Sequence, residues 1–208
     1  MGTASAQGDI WSGAPRDWAE LQEPLLAPIY EAVLKAANVK SGDKVLDVGC
    51  GSGLFCQLAA KRGAQVAGVD AAPKLIEIAR ERTPKGDFHV GEMEELPFAD
   101  KTFDLVTGFN AFQFAADPAN ALRQAQRVAK PLGKIATAVW GAAKNCQAAT
   151  FLKALGSTLP PPPPGARALR HAGEDKVRAA VMPAIAPFKK SDGSYRFENK
   201  FRYVLARS

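Results

Sequence analysis

Residues 45–53, with the sequence Val-Leu-Asp-Val-Gly-Cys-Gly-Ser-Gly, constrain the fold of this chain more than any other stretch. Apolar, β-favouring residues surround one carboxylate, Asp47, and lead directly into three glycines at alternate positions. A segment with a helical pattern, residues 54–62, follows. We therefore predict a buried strand that ends in a tight turn. Because glycine adopts positive φ and has no Cβ, such a turn lets a ligand approach the main chain closely.

Two common glycine-rich motifs do not fit this turn. A dinucleotide fingerprint would need a third glycine at position 54, where this chain has Leu54. A P-loop would need a Gly-Lys-Ser/Thr sequence, which does not follow. The turn therefore remains either a cradle for another kind of cofactor or a purely structural turn.

Short β-favouring runs alternate with helical segments along the middle of the chain. Alternation of this kind predicts an α/β fold with a Rossmann-like, mostly parallel sheet flanked by helices. We predict an antiparallel C-terminal strand at residues 195–206. The other predicted strands are residues 44–48, 65–69, 88–90, 103–107 and 134–140.

The N-terminal 40 residues have a different pattern from the rest. Residues 1–14 are rich in Gly, Ala and Ser, which predicts an arm that is mobile unless a ligand orders it. Apolar residues then recur at helical spacing, but Pro24 and Pro28 must divide the run into short helices. We interpret residues 1–40 as an arm and a helical flap that precede the α/β domain, residues 41–208.

An irregular region, residues 141–190, follows the fifth predicted strand. Five consecutive prolines at residues 160–164 favour a stiff polyproline II connector. Residues 141–194 contain no clear strand pattern. We expect either a natural deletion or a segment missing from this sequence between about residues 164 and 172, and the intact mass would distinguish the two.

Composition excludes several classes of protein. No apolar run approaches the roughly 20 residues that span a bilayer, so we expect a cytoplasmic protein without a membrane span. The three cysteines have no metal-ligand spacing and indicate neither a zinc site nor a disulfide framework. The net charge is +6, yet the basic residues are scattered and no RNA-binding motif is present, so we do not expect a nucleic-acid partner.

Four groups of residues follow predicted strands at their carboxyl ends: residues 49–53, Asp70, Glu92 and residues 109–110. In a parallel sheet these ends lie at one edge, where ligands bind. We therefore expect the four groups to converge in space.

Together these residues resemble the class I S-adenosylmethionine-dependent methyltransferases, in the type 11 group that includes quinone-biosynthesis methyltransferases. The resemblance is strong over about residues 21–140. It implies that the glycine turn lies beneath the amino-acid part of S-adenosylmethionine, that Asp70 accepts hydrogen bonds from the ribose hydroxyls, and that Glu92 receives the adenine amino group. The implied cofactor-binding residues are Asp47, Gly49, Cys50, Gly51, Gly53, Asp70, Ala71, Glu92, Met93, Phe109 and Asn110.

The resemblance implies methyl transfer to a small-molecule acceptor by in-line displacement, with S-adenosyl-L-homocysteine as product. Trp11, Trp18, Phe112 and Phe114 are candidate acceptor-side residues, although each could instead be core. We find no convincing general base and predict no metal ligand; His89 and His171 are interpreted as structural or surface residues. Two alternatives stay open: a non-catalytic S-adenosylmethionine-binding protein, and another nucleotide-binding α/β protein.

Overall fold

The computed structural model describes residues 2–157 and 174–207. A six-stranded sheet runs in the order β3-β2-β1-β4-β5-β6. The pairs β3-β2, β2-β1, β1-β4 and β4-β5 are parallel, and β6 is the antiparallel C-terminal strand. The strands are β1 Lys44–Val48, β2 Gln65–Asp70, β3 Asp87–Val90, β4 Phe103–Phe109, β5 Ala129–Trp140 and β6 Phe201–Arg207. The predicted fold class is confirmed.

Helices connect these strands and precede the first one. We number the described α-helices α1 to α8 in chain order. They are α1 Ala4–Trp11, α2 Pro15–Asp17, α3 Ala27–Ala36, α4 Leu54–Lys61, α5 Pro73–Arg82, α6 Pro118–Val128, α7 Ala148–Gly156 and α8 Glu174–Ile185. No helix among the described residues is both long and apolar enough to span a bilayer.

Residues 2–14, which composition predicts to be an arm that is mobile unless a ligand orders it, contain helix α1. Its Gly8 is buried against the main chain of residues 71–72. A Cβ at Gly8 would lie 2.3 Å from the Ala71 carbonyl oxygen, so the small residues allow close docking. The small residues of this segment serve a close helix contact, and its mobility in the absence of ligand stays a prediction.

The flap consists of short helices, as the prolines predict. A π-helical turn, Trp18–Gln22, and a 3-10 helix, Glu23–Leu26, lie between α2 and α3. Proline has no N–H to donate, and Pro28 lies in the first turn of α3, where none is needed. Asn38 ends this region with a φ of 55°.

Two predicted strand starts were wrong by five or more residues, whereas the other strand boundaries differ by two residues at most. Strand β5 begins at Ala129, five residues before the predicted start at Lys134, because the chain pairs with Phe103 and then passes through an irregularity before pairing again. Strand β6 begins at Phe201, six residues after the predicted start at Tyr195. Tyr195 forms only an isolated bridge, with Lys189.

The chain divides into two compact units. The first contains residues 1–139 and 203–208, and the second contains residues 140–202. In the first unit, β1, β2 and β4 contribute fully buried residues such as Leu46, Val69 and Val106 to the core. The described part of the second unit contains α7 and α8. The predicted proline connector and the expected gap near residues 164–172 lie outside the described residues.

Candidate cofactor-binding site

The carboxyl ends of the central strands meet at one edge of the sheet, as predicted. The glycine turn follows β1, and Asp70 ends the neighbouring strand β2. The Gly51 N–H donates to Asp70 Oδ2 at 2.9 Å, and the Ala72 N–H donates to Asp70 Oδ1 at 2.8 Å. Asp70 therefore links the turn after β1 to the turn after β2. Two of the four groups expected to converge, the glycine turn and Asp70, therefore meet here.

All three glycines of the turn have positive φ: 72° at Gly49, 54° at Gly51 and 79° at Gly53. Two of them serve close packing. A Cβ at Gly49 would lie 2.6 Å from the Ala111 Cβ, and a Cβ at Gly53 would lie 2.8 Å from the Ala79 Cβ. Gly51 instead faces the flap, where its nearest side-chain atoms are the polar Glu23 Oε1 and Trp18 Nε1.

Asp70 is a half-buried carboxylate with acceptor capacity left over. Burial raises its pKa, while hydrogen bonds from the backbone of Ala72 and Gly51 lower it. Each of its oxygens accepts one backbone N–H, and a carboxylate oxygen has a second lone pair to offer. Asp70 can therefore hold the turn and accept hydroxyl hydrogen bonds at the same time.

Glu92 lies beneath α1. Its Oε2 accepts the Ala4 N–H at 3.0 Å, and its carboxylate also approaches the Glu94 N–H at 3.4 Å. A cavity of about 310 Å³ lies between α1 and the turns that follow β2 and β3, where Ala71 and Gly91 also line it. The carboxylate predicted to receive adenine is thus in contact with the N-terminal helix.

Asp47 and Cys50 do not present their side chains at the surface of the turn. Asp47 is buried and accepts the Thr107 hydroxyl at 2.7 Å. Burial raises its pKa to about 7, and the negative charges of Glu23 and Asp70 act in the same direction. The Cys50 side chain is buried against Gly68. Only the main chain of Cys50 is therefore available to contact a cofactor, and Asp47 supports the turn from within the core.

The loop after β4 separates the predicted aromatic residues. Phe109 packs on Tyr30 and Phe55 in a buried aromatic cluster. Phe112 is a core residue whose ring covers Gly108, as in the core-packing alternative, and its acceptor contact stays a prediction. Phe114 stays half-buried against Trp11.

The remaining predicted residues lie around these turns. The Trp11 and Trp18 rings meet edge to face, with centroids 5.1 Å apart. Met93 packs partly buried against the core. Asn110 follows β4 with a φ of 50°, and its N–H donates to the Ala138 carbonyl.

Sequence reasoning missed a buried polar cluster that joins the flap to the glycine turn. Glu23 is 1% exposed, and its Oε2 accepts both the Ser52 hydroxyl, at 2.5 Å, and the Arg82 guanidinium. Arg82 also donates to the Ala19 carbonyl at 2.6 Å. These residues come from three separate segments. No spacing in the sequence distinguishes Glu23 from its exposed neighbour Glu20.

The site fits the chemical groups of S-adenosylmethionine. Gly51 leaves a cradle that a side chain would fill, and Trp18 Nε1 is a buried donor at that cradle without a partner among the described residues. Asp70 and Glu92 supply acceptors on adjacent strand ends. Within residues 2–157 and 174–207, no group of three His, Cys, Asp or Glu side chains could hold a metal ion.

The histidine on β3 has a structural partner. His89 contacts Asp87 at 2.7 Å on the same strand and packs edge to face against Phe98. These contacts agree with the predicted structural or surface role. His171 lies outside the described residues.

Residues 46–137 match a family described as "Methyltransferase domain". A ubiquinone biosynthesis O-methyltransferase of Xanthomonas oryzae pv. oryzae is 38% identical over 122 residues, covering 55% of this chain and 51% of that protein. A malonyl-[acyl-carrier protein] O-methyltransferase of Serratia marcescens is 31% identical over 107 residues, covering 51% and 42%. The chain therefore spans about half the length of these relatives.

Solved structures share the fold. A methyltransferase of Haloferax volcanii, solved in complex with the Trm112 methyltransferase activator, aligns with a TM-score of 0.54 at 28% identity, covering 65% of this chain and 60% of that one. The YcgJ protein of Bacillus subtilis aligns with a TM-score of 0.59 at 19% identity, covering 86% and 97%. The second likeness concerns the fold alone.

Proposed function

We propose that this protein transfers a methyl group from S-adenosylmethionine to a small-molecule acceptor, since residues 46–137 match a methyltransferase domain family. The observation that carries the proposal is the junction of Gly51 and Asp70, where a glycine cradle and a half-buried carboxylate meet at adjacent strand ends. A ligand that joins an amino acid to a ribose presents the groups that such a junction can receive.

The proposed roles follow from the chemistry of each residue. Bound S-adenosylmethionine supplies an electrophilic methyl group on a sulfonium. The free lone pairs of Asp70 accept hydrogen bonds from the ribose hydroxyls. Glu92 accepts a hydrogen bond from the adenine amino group, either beside the Ala4 N–H or in its place. Ala71 and Met93 border the adenosine, and the remaining predicted residues, Asp47, Gly49, Cys50, Gly51, Gly53, Phe109 and Asn110, form or support the turns around the amino-acid end.

The chain's contribution to catalysis in this proposal is positioning. Holding two reacting groups in line can supply a large part of the barrier reduction for a displacement. Trp11 and Phe114 offer apolar surface near the proposed site, and we propose them as acceptor-side residues. The named O-methyltransferase relatives support an acceptor oxygen as the first choice for testing.

Calorimetric titration with S-adenosylmethionine, S-adenosylhomocysteine and NAD tests the cofactor. Binding of the first two without NAD is expected, and binding of NAD alone would overturn the proposal in favour of another nucleotide-binding protein. A panel of small phenols, carboxylic acids and amines, assayed by release of S-adenosylhomocysteine, then tests catalysis. Cofactor binding without turnover of any acceptor in a broad panel would indicate the non-catalytic alternative.

A further inference from the structure

Two polar atoms of the flap converge on Gly51. A Cβ placed on Gly51 would lie 3.3 Å from Trp18 Nε1 and 3.3 Å from Glu23 Oε1. Both side chains come from the short helices before α3, while Gly51 is the central glycine of the turn. A hydrogen-bond donor and a carboxylate acceptor thus stand beside the same point of the cradle.

The Trp18 donor has no use within the described protein. Its Nε1 atom is buried and finds no acceptor among residues 2–157 and 174–207. A buried donor without a hydrogen-bond partner is unfavourable, because it has lost its bond to water. Trp11 differs, because its Nε1 donates to Gln7 Oε1 at 3.2 Å in its own helix. Of the two neighbouring indole N–H groups, that of Trp11 therefore has a protein acceptor, and that of Trp18 is available to a ligand.

The two oxygens of Glu23 are also unequal. Oε2 accepts from Ser52 and Arg82, whereas Oε1 has only a long contact, 3.5 Å, with the Leu54 N–H. Arg82 and Ser52 hold the carboxylate through Oε2, whereas Oε1 is the oxygen near Gly51. The oxygen nearer Gly51 retains acceptor capacity.

A neighbouring donor and carboxylate match a zwitterionic amino acid. A carboxylate ligand needs a donor, and an ammonium ligand needs an acceptor, preferably a charged one. We propose that Trp18 Nε1–H donates to the α-carboxylate of the cofactor's methionine end and that Glu23 Oε1 accepts from its α-ammonium. This inference rests on the proposed function. It assigns Trp18 to the cofactor and removes it from the acceptor side.

A set of three ligands separates the two contacts. S-adenosylmethionine has both charged groups, decarboxylated S-adenosylmethionine keeps only the ammonium, and 5′-methylthioadenosine has neither. In Trp18→Phe, which keeps an aromatic ring but loses the N–H, we expect affinity for S-adenosylmethionine to fall about tenfold or more. Affinity for the other two ligands should change less than twofold.

Glu23→Gln gives a different expected pattern. It keeps the side-chain shape but removes the charge, so binding of S-adenosylmethionine and of its decarboxylated form should both weaken by about tenfold. Binding of 5′-methylthioadenosine should change less than twofold. Trp140→Phe is the matched control, since it makes the same substitution at a 45% exposed tryptophan at the end of β5, and it should bind all three ligands as the wild type does.

The outcomes are distinguishable from failure of the proposed function. If the wild type binds none of the three ligands, the proposed function itself fails. If the wild type binds them, but Trp18→Phe weakens all three equally or none, this inference is overturned and Trp18 has a packing role. Thermal unfolding of each variant, measured without ligand, shows whether a uniform loss comes from a damaged fold.

Discussion

Asp47 is a buried carboxyl group whose titration makes the stability of the fold depend on pH. Thr107 Oγ1 lies 2.7 Å from Asp47 Oδ1 and 3.2 Å from the Leu46 carbonyl oxygen, but a hydroxyl has only one proton. When Asp47 is protonated, it donates to Thr107, and Thr107 donates to Leu46. When Asp47 is charged, Thr107 must turn to it, and Leu46 loses that donor. Protonation therefore satisfies all three groups.

We expect stability to fall as pH rises through this titration. Burial raises the Asp47 pKa from 3.8 to about 7, so the folded state binds more protons than the unfolded state between those values. The free energy of unfolding then decreases with rising pH over that window, by an amount on the order of 4 kcal/mol for this residue. Well below pH 3.8 and well above pH 7 the residue contributes no slope.

Asp47→Asn tests this expectation. The variant has a neutral group at this position at every pH, so its stability relative to the wild type should increase between pH 5 and pH 8. Urea unfolding at several pH values, without ligand, measures the difference. The comparison also cancels the contribution of Asp70, whose pKa is raised as well. Parallel pH profiles for the two proteins would contradict the assignment.

Asp70→Asn should weaken binding of S-adenosylhomocysteine by roughly 1.5–3 kcal/mol, because it removes charge from the hydrogen bonds proposed to the ribose. Calorimetric titration measures the change. Asp104→Asn is a suitable control, since Asp104 pairs with Lys130 and accepts the Lys44 N–H at the amino end of the strands. Equal affinity for wild type and Asp70→Asn would exclude the ribose role.

At the scale of elements, helix α1 depends on the absence of a side chain at Gly8. Gly8→Ala would place a methyl group 2.3 Å from the Ala71 carbonyl oxygen. Relieving this clash requires a shift of the main chain, which is unfavourable in a packed region. We expect α1 to leave its position over Glu92. Faster proteolysis within residues 2–14 and a red shift of tryptophan emission would report the release. The exposed Ala6→Ser substitution is the control, and unchanged proteolysis of Gly8→Ala would contradict the docking.

Two ion pairs join the flap region to α5, and they should differ in strength. Arg82 and Glu23 have side chains 20% and 2% exposed, whereas Arg16 and Glu81 are 59% and 55% exposed. Arg82→Met leaves a buried carboxylate without its partner, which costs about 3–5 kcal/mol. Arg16→Met should cost less than about 1 kcal/mol. Urea unfolding of both variants gives the comparison, and similar losses would show that the buried pair is no stronger.

At the scale of the whole molecule, cofactor binding should stabilise one of the two units. Residues 1–139 and 203–208 contain the proposed site, and residues 140–202 form the second unit. At a free concentration of 100 times Kd, a ligand adds about 2.7 kcal/mol. For a unit of this size, that corresponds to a rise in Tm of roughly 5–10 °C. Calorimetric scans with S-adenosylhomocysteine should show the rise, and scans with NAD should not.

The predictions from sequence were most successful where the information is local. Strand β1 and its turn are encoded by adjacent residues, because β-favouring apolar residues and glycines determine the backbone conformation directly. The order of strands and helices followed from the same alternation. Local patterns predicted the ends of strands less accurately. The start of β5, for example, depends on its pairing with β4 and not on its own composition.

By itself, the sequence determined the α/β fold, the glycine turn and the carboxylates that end its neighbouring strands. Only the tertiary structure decided what lies above that turn. Glu23, Ser52 and Arg82 meet because the flap crosses the turn and α5, and Trp18 comes to Gly51 in the same way. The physical reason is that periodicity records which face of an element is buried, whereas the partner of a buried polar group depends on how distant segments pack.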